Sequence, residues 1–264
     1  MRLGRVASQD GVAFVAVEGE GAEAVVREIA EHPFGNPSFT GRQWPLDDVR
    51  LLAPILASKV VCVGKNYAAH AKEMAEITGR PGAGDATDPV IFLKPSTSIV
   101  GPGANIVVPP NSDRVDYEGE LGVVIGRPCK DVSAARARDV ILGYTIANDV
   151  TARDQQQLDG QWTRAKGYDT FCPLGPWIET VLDPGDLALT TEVDGEVKQS
   201  SRTSLLLHDI PELIEWISAV MTLLPGDVIL TGTPEGVGPL LPGQTVSVAV
   251  DGIGTLTNSV VKKG

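Results

Sequence analysis

Short apolar segments separated by turn residues dominate the chain, with one long helical stripe as the exception. Apolar and polar positions alternate over RLGRVAS and VAFVAVEG on either side of Asp10-Gly11, which predicts a hairpin within residues 1–18. GAEAVVREIAE (21–31) reads as a short helix, and residues 32–58, rich in proline and glycine around Trp44, read as a connection. KVVCVG (59–64), VIFLK (90–94), ELGVVIG (120–126) and VILGYTIAND (140–149) predict strands, and NYAAHAKEMAEI (66–77) predicts a helix. GRPGAGDATDP (79–89) has almost nothing to bury and predicts a loop. Asp194-Gly195 and Asp251-Gly252 divide LALTTEV from EVKQSS and TVSVAV from IGTLTN, two further hairpins. In HDIPELIEWISAVMTLLPGD, Ile210, Leu213, Ile214, Ile217, Val220 and Met221 share one helical face, and Pro225-Gly226 stops the pattern. The expected fold is a mixed α+β, strand-rich one. A small N-terminal domain with its connection takes residues 1–58, and a larger domain takes 59–264.

Charge and cysteine usage narrow the function. The 264 residues carry 22 Lys plus Arg against 34 Asp plus Glu, a net charge of −12, with no basic run longer than Lys262-Lys263. Such a chain repels a phosphate backbone and an anionic membrane surface, so neither is an expected partner. Three widely spaced cysteines without a C-x-x-C exclude a disulfide scaffold and a zinc knuckle, and Cys62, inside an apolar strand, reads as an inert thiol. The N-terminus has no apolar signal segment, and LLAPILASKVVCVG (51–64) is too short to span a bilayer. A cytoplasmic location is expected. No phosphate-binding G-x-x-x-x-G-K-[ST] and no G-x-S-x-G is present.

The segment DYEGELGVVIG (116–126) carries the most chemistry. On a strand, Glu118 and Glu120 project side by side, and two carboxylates that close need a cation, a proton or a basic side chain between them. A solvent-facing alternation gives the same pattern, but the wholly apolar LGVVIG that follows points into a core. Asp149 ends the apolar strand in YTIAND, where it caps the next element or supplies a third oxygen. Three carboxylates suit Mg²⁺ or Mn²⁺ rather than zinc, which favours His or Cys.

DYEGELGVVIG, NDVTARDQQ (148–156), WTRAKGYDTFCPLGPW (162–177) and GDVILTGTPEGVG (226–238) resemble, in order, the landmarks of the fumarylacetoacetate hydrolase superfamily, and GKNYAAHAKEM (64–74) resembles its lid helix. The likeness runs from about Lys59 to the C-terminus. It implies a β-sandwich roll catalytic domain behind the small N-terminal domain, and a homodimer. It implies a divalent metal on Glu118, Glu120 and Asp149, with Lys166 as the substrate-side lysine. A salt bridge from Lys166 to one of these carboxylates is the alternative for that residue. Arg153 and Gln156 match pocket-lining positions, Thr233 matches the residue at the substrate's carboxylate end, and His70 with Glu73 matches the His–Glu pair of a mobile lid. Lys65 stands where many members carry arginine; it keeps the charge and loses the bidentate fork.

These roles imply a small 2-oxo or 2-hydroxy-enoate acid as substrate and a metal-stabilised enolate as the shared intermediate. His70 and Glu73, at i and i+3, share a helix face, so the glutamate can orient the imidazole for proton transfer. C–C bond cleavage, by acylpyruvate hydrolysis or oxaloacetate decarboxylation, is the leading expectation. A 2-hydroxyhepta-2,4-diene-1,7-dioate isomerase is the alternative, and an inactive keto-acid-binding protein is the alternative from another class.

Overall fold

The structure, a computed structural model, describes residues 1–78 and 88–263. Most of the loop expected over 79–89, and with it the far side of the expected lid, lies outside the described residues. Among them no helix is long and apolar enough to cross a membrane.

Among the described residues, three sheets make up the body. The largest runs in the order Phe39–Pro45, Val25–Ile29, Gly11–Glu18, Arg2–Ser8, Cys172–Glu179, Ile141–Asn148, Gly119–Ile125, Val228–Leu230, Lys59–Gly64, Val90–Pro95. Arg2 and Leu3 pair with Glu179 and Ile178, so the N-terminal hairpin extends the same sheet. A five-stranded sheet holds the two expected DG hairpins, Ala188–Val193 with Glu196–Arg202 and Thr245–Val250 with Gly254–Lys262. A three-stranded sheet joins Val115–Tyr117 to Thr151–Ala152 and Gly238–Pro239.

Gly119–Ile125 lies in the middle of the large sheet, antiparallel to both neighbours and buried along its whole length. Its period of two sends Leu121, Val123 and Ile125 against Leu189, Val248 and Val250 of the five-stranded sheet, and Val124 to the opposite face among Val60, Cys62 and Val228. Glu118 and Glu120 share the parity of Val124 and end this central strand, as the pattern predicts. Gly119 between them is required by packing: a Cβ there would run into Thr191 Oγ1 and Val248 of the sheet below.

The helix Ile210–Val220 closes the core with Ile210, Leu213, Ile214 and Ile217, each worth roughly 1.5–3 kcal/mol on burial. Its start is a capping box, with Glu212 N donating to Asp209 Oδ1 at 2.9 Å and Asp209 N to Glu212 Oε2 at 3.2 Å. Val220 departs from the expected stripe, being 59% exposed, whereas Met221 after it packs against the core.

Two expectations for the N-terminal region are corrected. Residues 21–31 form no α-helix; after a short turn at Gly21–Glu23, Val25–Ile29 is a strand paired with Gly11–Glu18. The β-branched Val25, Val26 and Ile29 fit a pleated ladder, and the open edge of the hairpin supplies it. The supposed connection 32–58 likewise contains two strands, Phe39–Pro45 and Arg50–Leu52.

Candidate active site

Glu118, Glu120 and Asp149 come together: each offers an oxygen, and all three oxygens lie within 4.8 Å of one another. Glu118 and Glu120 arrive on the start of the central strand, and Asp149 follows the paired strand Ile141–Asn148, whose Asn148 sits opposite Gly119. The register is pinned locally, because Asn148 Oδ1 accepts from Glu118 N at 2.9 Å and Asp149 N donates to Glu118 O at 2.8 Å.

Around this cluster the charges are unevenly shared. Glu118 Oε1 receives Arg153 Nη2 at 2.5 Å and Thr151 Oγ1 at 3.1 Å, and its Oε2 receives Lys166 Nζ at 2.9 Å. Burial works against its charge, but the Lys166 and Arg153 cations prevail and hold the carboxyl well below the usual range. Glu120 has one named donor, Gly232 N at 2.6 Å on Oε2. Burial, together with the Asp149 and Glu118 charges, pushes its carboxyl well above the usual value. Lys166 bridges to Asp149 Oδ2 at 2.6 Å, so the salt bridge weighed for this lysine is present, and to two carboxylates. Its own burial is outweighed by Asp149 and Glu118, which raise its pKa.

Asp149 Oδ1 is buried and accepts no hydrogen bond. Lys94 Nζ lies 2.8 Å from it, yet donates to the carbonyls of Val150, Lys166 and Phe171, and so faces the oxygen as a charge. A buried carboxylate oxygen that accepts no hydrogen bond, a neighbouring carboxyl whose charge is strongly disfavoured and a donor set made only of hard oxygens all fit a divalent cation of the Mg²⁺ or Mn²⁺ class.

A cavity of about 510 Å³ opens onto the cluster and is lined by nine of the ten residues expected at the site, Lys65, His70, Glu118, Glu120, Asp149, Arg153, Gln156, Lys166 and Thr233. The tenth, Glu73, stands behind His70 on the helix Ala68–Thr78. Glu73 Oε2 lies 3.2 Å from His70 Nδ1, and its Oε1 accepts from Gly236 N at 3.0 Å. Burial would raise the Glu73 carboxyl, but the bonds to His70 and Gly236 bring it below the ordinary value.

Arg153 and Thr233 sit on the wall with much of their bonding already committed. Arg153 Nε donates to Asp116 Oδ2 at 2.9 Å and Nη1 to Gln156 Oε1 at 2.7 Å. Thr233 Oγ1 donates to Gly119 O at 2.9 Å and accepts from Gln199 Nε2 at 2.8 Å. Lys65 holds a left-handed backbone, φ 61°, a conformation non-glycine residues take at a cost of roughly 1–2 kcal/mol, and burial lowers its pKa.

The rest of the wall was not anticipated from the sequence. Phe92 and Trp162 meet edge to face at 5.2 Å and, with Leu158 and Met74, form its apolar side. Gly64 leaves room for this, since a Cβ there would press on the Trp162 ring at 2.8 Å. Lys94, Asp116 and Gln199 gave no signal of their own, because each depends on partners far away in sequence.

Comparison with known proteins agrees with this architecture along the whole chain. Residues 59–261 match the family model described as fumarylacetoacetate (FAA) hydrolase C-terminal, and residues 1–54 match one described as Rv2993c-like, N-terminal. Protein Rv2993c of Mycobacterium tuberculosis is 67% identical over 100% of this chain and 99% of its own. A rat protein named oxaloacetate tautomerase Fahd2a, mitochondrial, is 42% identical over 82% of this chain and 71% of its own. Among solved structures, 5-carboxymethyl-2-hydroxymuconate delta-isomerase from Mycobacterium smegmatis is 70% identical with a TM-score of 0.93, both chains covered in full. Maleylpyruvate hydrolase from Sphingobium sp. SYK-6, in complex with manganese(II) and pyruvate, is 31% identical with a TM-score of 0.80, again with both chains covered in full. With the buried carboxylate cluster, the strand-rich sheets and a family match over residues 59–261, the chain belongs to the fumarylacetoacetate hydrolase superfamily of enzymes.

Proposed function

We propose that this chain is a divalent-metal-dependent enzyme acting on a small 2-oxo or 2-hydroxy-enoate carboxylic acid, and that its reaction turns on moving a proton beside the 2-oxo group. One observation carries this: a single cavity faces both the Glu118–Glu120–Asp149 cluster and His70, which Glu73 backs. A divalent cation on the three carboxylates, Mg²⁺ or Mn²⁺, would supply Lewis-acid stabilisation to negative charge developing on the substrate's oxygen. His70, its Nδ1 tied to Glu73, would take or give the proton at Nε2. Lys166 would set a positive charge beside the same oxygen. Lys65, Arg153 and Gln156 would hold the substrate's carboxylate, with the Thr233 hydroxyl joining them if it turns from Gly119 O, while Phe92, Trp162 and Leu158 cover its carbon chain and exclude water.

Keto–enol or double-bond isomerisation needs this proton transfer alone and stands first. The names of the Mycobacterium smegmatis isomerase and the rat tautomerase support that order. C–C cleavage, the expectation drawn from the sequence, becomes the second reading. It uses the same groups, with His70 activating a water, and the likeness to a maleylpyruvate hydrolase favours it. An inactive binding protein has no use for an oriented His–Glu pair. Steady-state rates with oxaloacetate, 2-hydroxyhepta-2,4-diene-1,7-dioate and acetylpyruvate, each with Mg²⁺ and Mn²⁺, test the proposal. Tautomerisation or isomerisation faster than acetylpyruvate hydrolysis is expected. Faster hydrolysis reverses the order, and no rate above the free-metal background leaves the binding protein.

A homodimer belongs to the same proposal, by resemblance to the family. Sedimentation equilibrium should give twice the chain mass; a monomer mass contradicts it.

A further inference from the structure

Lys94 is wholly buried at the end of the strand Val90–Pro95, and burying an ammonium costs several kcal/mol unless its donors and its charge are both answered. Here both are. Its three N–H groups reach Val150 O at 2.9 Å, Lys166 O at 2.8 Å and Phe171 O at 2.7 Å. Its charge lies 2.8 Å from Asp149 Oδ1, an oxygen that accepts no hydrogen bond.

The choice of carbonyls is what points to function. Val150 follows the candidate ligand Asp149 directly, Lys166 is the candidate substrate-side lysine, and Phe171 lies beyond it on the same stretch of chain. One nitrogen therefore ties the backbone carrying the third carboxylate to the backbone carrying the lysine, segments otherwise separated by the helix Arg153–Asp159. A compact ammonium suits three carbonyls converging on a point; a planar guanidinium does not. Lys59 offers an internal contrast, because it pairs with the wholly buried Asp227 and bonds no backbone at the cavity.

We propose that Lys94 is a positioning residue of the active site, fixing Asp149 and Lys166 relative to each other through their own backbone while leaving Asp149 Oδ1 to a divalent cation. The proposal rests on the metal-site reading above, and is independent of which 2-oxo acid the enzyme takes.

The test needs no substrate: Mn²⁺ is titrated into wild-type protein, Lys94→Met and Lys59→Met, with free Mn²⁺ read by electron paramagnetic resonance. Loss of an outer partner of a metal ligand typically costs about 10–100-fold in affinity. Lys94→Met is expected to keep one site and bind Mn²⁺ weaker by that factor, and Lys94→Arg is expected not to restore it. Lys59→Met is expected to lower the melting temperature and leave Mn²⁺ affinity unchanged. A Lys94→Met protein binding Mn²⁺ as well as wild type, or tighter, overturns the proposal, since a lysine that only fills space or competes as a charge gives those results. If Lys94→Met does not fold by circular dichroism, Lys94→Leu, which likewise offers neither donor nor charge, takes its place with the same two outcomes. Wild-type protein that binds no Mn²⁺ overturns the metal reading itself, a failure distinguishable from that of Lys94.

Discussion

At the scale of single residues, the three carboxylates are not equivalent. Glu118 is held ionised by Lys166 and Arg153, whereas Glu120 is crowded by Asp149 and Glu118 and has Gly232 N as its named donor. Removing a buried carboxyl whose charge is already disfavoured costs the metal-free fold little. Glu120→Ala should therefore bind no Mn²⁺ by calorimetry and lose activity, while its melting temperature in EDTA equals or exceeds that of wild type. Lys166→Met should behave in the opposite sense. It strips two buried carboxylates of a shared cation, so the metal-free protein should melt lower, by the roughly 3–5 kcal/mol typical of a broken buried pair. Turnover should fall about 10²–10³-fold, the usual loss for one electrostatic donor. A Lys166→Met protein with wild-type kcat and a raised KM would make this lysine an anchor only. Glu118 and Glu120 were legible as a pair because a two-residue period and the apolar run after them place them side by side; Asp149, a cap or a third oxygen by its position alone, was brought to them by the family resemblance. Lys94 was not: VIFLK ends like any strand with a solvent-facing lysine, and only the carbonyls of Val150, Lys166 and Phe171 show otherwise.

Among the elements, those with an unambiguous period read correctly and those whose identity depends on a partner did not. The helix Ile210–Val220 follows from its stripe, and the structure adds the Asp209 cap that starts it. Asp209→Ala removes one side of the capping box and should cost about 1 kcal/mol in urea unfolding, with the slope unchanged and Mn²⁺ binding intact. Val25–Ile29 was misread because GAEAVVREIAE carries helix formers, and the hairpin edge that recruits it as a strand lies elsewhere in the sequence. Cys172–Glu179 gave no strand signal, since Pro173 and Pro176 argue against one. It nonetheless bridges Arg2–Ser8 and Ile141–Asn148, with an irregular register that accommodates the prolines. The helix Ala68–Thr78 carries His70 to the cavity, anchored at its start by Asn66 on Thr231 O and His208 O and in its middle by Glu73 on Gly236 N. If this helix closes over the site, Mn²⁺ with oxalate should slow hydrogen exchange of its amides relative to Mn²⁺ alone. Equal exchange would make the helix a fixed wall.

For the whole molecule, a sheet-built scaffold positions the chemistry from several directions. Carboxylates come from the middle of the large sheet, the lysine and arginine from short helices after it, and the His–Glu pair from a helix at the sheet's other end. The most direct test of that union is the rate of oxaloacetate enol–keto conversion, followed by ultraviolet absorbance with wild-type protein in EDTA, after Mn²⁺ is restored, and with His70→Ala in the same Mn²⁺. A rate above the free-metal background that vanishes in EDTA, returns with Mn²⁺ and falls at least 10²-fold in His70→Ala is the predicted result. A rate that ignores EDTA, or one that His70→Ala leaves unchanged, would contradict a metal-dependent proton transfer at this site.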